Sequence, residues 1–99
     1  MVVMNLDAVT AESFAGLSDR LFSASNVALE LVDVDKPRAD KSRRSGVREP
    51  FALLFRGPRE PLLAQRIHRL ENSELGALDI FLVPIGPDDI GQRYEAVFN

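Results

Sequence analysis

The chain has 99 residues, 45% of them hydrophobic, which suits one domain spanning 1–99 with a small core. It has no cysteine, which excludes disulfides and thiolate metal sites. Its net charge of −3 is uneven: residues 35–49 carry six Lys/Arg against three Asp/Glu, leaving six positive and twelve negative charges elsewhere.

The opening MVVMNLDAVTAESF lacks a basic n-region and a long apolar stretch. Neither a signal peptide nor a membrane-spanning helix is expected, and a cytoplasmic location follows as the default. Thr10 marks a helix start, with a hydroxyl able to cap first-turn amides. Val9 and Phe14 stand at the spacing of a hydrophobic staple. Phe14, Leu17 and Leu21 recur at three- and four-residue intervals, while Gly16 and Ser18 weaken the run. A short helix near 11–18 is predicted.

From Asp19 the period changes. A strand is expected at 20–23, a turn at 24–26, and a strand at 27–34 in which Val27, Leu29 and Leu31 alternate with Ala28 and Glu30. Residues 35–49, with Pro37 and Gly46, read as a long mobile loop. The segment 51–56 predicts a strand apolar on both faces, stopped by Gly57-Pro58. A more polar strand at 64–71, anchored by Ile67 and Leu70, leads through a turn at 72–76 to a second doubly apolar strand, ALDIFLVPI at 77–85. Gly86 to Gly91 reads as a turn, and QRYEAVF at 92–98 alternates Tyr94, Ala96 and Phe98 against Arg93 and Glu95.

One short helix followed by about six mostly antiparallel strands gives a mainly β (α+β) fold, packed as a small, partly open barrel or a two-layer sandwich. An eight-residue helix is only about 12 Å long. It cannot cover the second apolar face of two strands, so a curled sheet or another molecule must do so.

No catalytic constellation is visible. Asp88 and Asp89 lack the spaced acids of a calcium loop and the Lys of a phosphate loop, and read as turn residues. His68 is the single histidine and reads as a partly exposed structural residue. A Ser73, His68 and Asp79 triad has no nucleophile elbow to support it. No metal or cofactor is implied. The basic residues Lys36, Arg38, Lys41, Arg43, Arg44 and Arg48 are candidate contacts for an acidic protein surface. For nucleic acid they are poor candidates, because Asp35, Asp40 and Glu49 dilute the field and no aromatic is there to stack on bases. Gln65, Tyr94 and Arg56 are the polar groups that a ligand-binding barrel interior would need to converge.

The second half resembles a bacterial family of domains of unknown function. The resemblance rests on Pro50, Phe51, Leu53 and Phe55 to Pro58, then Gln65, Gly76, Phe81 to Pro87 and the terminal YEAVFN from Tyr94 to Asn99. It extends more loosely to LDAVTAESFAGL. Arg66 stands where the family usually has Gly, and His68 where an aromatic is common. The resemblance implies no activity. Its association with gene clusters for phage-tail-like collar proteins implies a structural or assembly role. The expected function is therefore a non-enzymatic protein-protein interaction or assembly module, binding a protein partner or itself. The edge of the last strand, with Tyr94 and Phe98, is the expected contact surface. A small-ligand binder or minor enzyme is the alternative, and nucleic-acid contact through the basic loop a third.

Overall fold

A computed structural model describes residues 9–36 and 50–98. Helix α1 (Ala11–Ala15) precedes six strands: β1 (Leu21–Ala24), β2 (Val27–Asp35), β3 (Phe51–Gly57), β4 (Arg66–Asn72), β5 (Gly76–Pro87) and β6 (Gln92–Phe98). All strand pairs are antiparallel, and the order β1-β2-β3-β6-β5-β4 closes into a barrel. The mainly β class and the barrel expected from sequence are therefore present, with the barrel closed rather than partly open.

Closure removes the expected edge. β6 lies between β3 and β5 and is hydrogen-bonded on both sides, pairing Phe51 with Phe98 and Val83 with Glu95. A C-terminal strand is an edge only when its neighbours run out, and here the chain returns it to the middle of the wall.

The seam lies elsewhere, between β1 and β4, which share the single rung Ser23–Glu71. Asn72 extends it with its side chain. Its Nδ2 donates to the carbonyls of Asp19 at 2.9 Å and Leu21 at 3.0 Å, while its Oδ1 accepts from the amides of Glu74 and Leu75 at 2.9 Å. Ser73 Oγ donates to Asp19 Oδ2, and the Asp19 amide donates to Glu74 Oε1 at 2.7 Å. The segment read as a simple turn thus also fastens the barrel shut.

α1 is shorter than predicted. Gly16 ends it, and Leu17 N–H reaches back to the Phe14 carbonyl in a tight last turn. The Thr10 amide donates to Ser13 Oγ at 3.0 Å, so the serine side chain serves the N-terminus. Val9 and Phe14 are both buried, as the staple requires. Leu21, expected on the same helical face, instead opens β1 and is exposed. β1 turns into β2 through Ser25 and Asn26, both at positive φ, the two-residue hairpin that matches strand twist.

One side of each strand fills the interior. Phe22, Leu29, Leu53, Phe55, Leu70, Leu78, Ile80, Leu82 and Tyr94 form one buried cluster. α1 closes one end: Phe14 packs against Phe51 and Phe98 at 5.9 and 5.8 Å, and the latter two stack at 4.6 Å. At the other end Leu63 is buried and its amide donates to the Tyr94 hydroxyl at 2.9 Å. Since α1 covers an end rather than a wall, the prediction that β3 and β5 are buried on both faces fails. In a closed barrel each strand has one inner face, and the outer one meets solvent.

Candidate interaction face

The outer wall formed by β4, β5, β6 and β3 carries the apolar residues that sequence reasoning assigned to a second buried layer. Ile67 pairs with Phe81 across β4 and β5, and Val97 pairs with Ala52 across β6 and β3. Two residues beyond the rung Val83–Glu95, Phe81 and Val97 reach the same level. These residues form a band across four strands in which Ile67 is 62%, Val97 56% and Phe81 48% exposed. Leu54 and Val83, on the next level, are half-buried. Single exposed apolar residues are ordinary, whereas a contiguous run on rigid strands is a recognised mark of a contact surface.

Charge on this wall is arranged by the β5–β6 hairpin. Arg56 of β3 lies directly opposite Arg93 of β6, and like charges placed so repel. Asp88 relieves this. Its Oδ2 accepts from Arg56 Nε at 2.9 Å and Nη2 at 2.6 Å. Its Oδ1 accepts from the amides of Ile90 and Gly91, both at 2.9 Å, and Arg59 donates to its carbonyl. The Arg56 guanidinium, then the Gly91 amide, hold the Asp88 carboxyl well below its ordinary range. Asp88 is thus the organiser of a turn, as its neighbours predicted, and neutralises Arg56. Arg93 has no ion-pair partner among the described residues, and its Nε is buried without a hydrogen-bond partner.

The residues named from sequence fall as follows. Tyr94 and Phe98 are 0% and 7% exposed, so both are core residues and neither offers a contact surface. Lys36 is exposed and donates to Glu12 Oε1 at 3.0 Å, which lowers the Glu12 pKa. Arg38, Lys41, Arg43, Arg44 and Arg48 lie outside the described residues. Gln65, Tyr94 and Arg56 do not converge: Tyr94 points inward, Arg56 engages Asp88 on the outer wall, and Gln65 is exposed.

His68, expected to be partly exposed, is buried and bonded through Nε2 to the Ala64 carbonyl at 2.7 Å. Ser73 bonds Asp19 and Asp79 pairs with Arg69 at 2.9 Å, so Ser73, His68 and Asp79 form no triad. Among the described residues no cluster of acids and histidine is arranged to hold a metal ion. No described helix is long and apolar enough to cross a membrane.

The frame of β4 differs from the one that Ile67 and Leu70 as joint apolar anchors imply, and this hides the band in the sequence. Ile67 and Leu70 are three apart and cannot share one strand face. Leu70 is inward, with His68 and Asn72, which sends Ile67 outward with its partner Phe81. A second apolar surface lies on β1–β3, a groove of about 410 Å³ flanked by the exposed Leu21 and Ile90.

No curated protein and no solved structure matches the chain. The model of a domain of unknown function, DUF6916, matches residues 9–98, which takes in all six strands and the helix. The chain belongs to the DUF6916 family.

Proposed function

We propose that this domain is a non-enzymatic protein-protein interaction module that docks through the outer wall of β4, β5, β6 and β3, and that it acts as an assembly accessory. The observation that carries the reading is the band of Ile67, Phe81 and Val97, exposed on strands too firmly paired to fold it away. The resemblance to a family associated with phage-tail-like clusters agrees with an assembly role, in a bacterial cytoplasm.

Phe81→Glu tests it. An exposed site away from the core should change stability by no more than about 0.5 kcal/mol, so the variant should fold. Wild-type protein used as bait in its native lysate should retain a protein, or further copies of itself, that the variant loses. A wild type that stays monomeric and captures nothing, or a capture indifferent to Phe81→Glu, ends the proposal.

A further inference from the structure

We infer that the occupant of this face is a second copy of the chain, related by a two-fold axis that crosses β6 between Arg93 and Glu95. The inference rests on the interaction-module reading and names its partner.

Arg93 and Glu95 are two residues apart on one strand and share the outer side of β6, opposite the buried Gln92, Tyr94 and Ala96. Neither has an ion-pair partner among the described residues. The Arg56 charge beside Arg93 is taken up by Asp88, and Arg93 Nε remains buried and unbonded. Glu95 is set between Leu54 and Val83, both apolar and half-buried, a setting that gives a carboxylate no compensating donor. An uncompensated cation and anion side by side on one strand are complementary to the same strand read in reverse. That is the property an isologous interface needs, residue i meeting j and j meeting i.

Laying β6 antiparallel across β6 of a second copy places Arg93 over Glu95 and Glu95 over Arg93, two charge-assisted contacts from one operation. The same rotation reverses the levels of the wall. It carries Val83 over the level of Gly86 in the second copy, so Val83 and the neighbouring exposed Ile85 are covered together, and it carries Phe81 to the level of Asp88. The apolar band thus lies beside a charge pair that sets orientation, which is how charges at contacts chiefly act.

Sedimentation equilibrium on the full chain, at low and high salt, tests the proposal. Wild type should dimerise reversibly, more weakly at high salt. Arg93→Glu and Glu95→Arg should each weaken association by about tenfold, since each places like charges opposite one another twice. Mixing these two variants should restore it, because every pair in the mixed dimer is then opposite in sign; the double swap in one chain should restore it as well. Matched circular dichroism spectra verify folding, and rescue by mixing cannot arise from misfolded protein. A wild type that is monomeric at about 1 mM, the weakest affinity worth assigning, overturns the proposal, as does failure of the mixture to associate. If wild type is monomeric while Phe81→Glu still loses a captured protein of another kind, self-association falls and the interaction-module reading stands.

Discussion

Replacing Asn72 with alanine tests how the barrel is closed. β1 and β4 share one rung, and the Asn72 side chain supplies two donors to the Asp19 and Leu21 carbonyls in place of further backbone bonds. Its oxygen also accepts two amides of the following turn. The orientation of the amide group follows from these four partners, since only one places donors against carbonyls and the oxygen against N–H groups. A net value near 0.5–1.5 kcal/mol for each of these four part-buried hydrogen bonds gives a cost of about 2–6 kcal/mol. Asn72→Asp separates the two halves: it keeps the turn acceptors but turns a carboxylate toward two carbonyls, so at neutral pH it should destabilise at least as much. Urea denaturation with an unchanged slope measures the loss, and hydrogen exchange at Leu21 to Ala24 should accelerate more than in β3. A loss below about 0.5 kcal/mol, the range of an ordinary surface site, would refute a closure that depends on Asn72.

Gly91→Ala should destabilise, because a Cβ there collides with the Gly57 carbonyl oxygen, a backbone atom that moves only with its strand. Overpacking of this kind costs about 1–3 kcal/mol, and an unchanged denaturation midpoint would show that the β3–β6 end gives way easily. Removing residues 96–99 takes away Phe98 and the rungs to Phe51 and Leu53, and should unfold the domain; a soluble, folded truncation would show that the strand is peripheral. Phe98→Ala is the graded version, with a loss of about 3–5 kcal/mol read from urea denaturation. Asp88 has a folded-state pKa below its unfolded value, so the stability it contributes is present above the unfolded pKa of about 3.9 and is lost as the pH falls further. Asp88→Asn should therefore lower stability at neutral pH and flatten the acid limb of the stability profile. An acid limb unchanged from wild type would contradict this.

The strands were legible because alternation is a local property. Val27, Leu29 and Leu31, and again Tyr94, Ala96 and Phe98, took the inward positions their spacing required. Closure was not legible, since the β1–β4 rung joins residues far apart in sequence and depends on a side chain, Asn72, whose local signature is only that of a turn. The expectation of two-sided burial for β3 and β5 rests on apolar residues at both alternating sets of positions. Apolar content cannot distinguish a buried outer face from an exposed band, because the difference lies in what packs outside. The contact surface moved for the same reason: an edge strand is defined by its neighbours, and β6 has two. Arg93 and Glu95 were read correctly as outward residues, but their lack of partners needed the Arg56–Asp88 geometry to be seen.

The most direct measurement is covalent side-chain footprinting of the protein, first dilute and then in its assembled state, with labelling resolved by residue. Ile67, Phe81 and Val97 should be labelled in dilute solution and protected on assembly, while Leu21 and Ile90 stay labelled in both. Protection at Leu21 and Ile90 with Phe81 still open would contradict the account, and would place the contact on the β1–β3 groove instead.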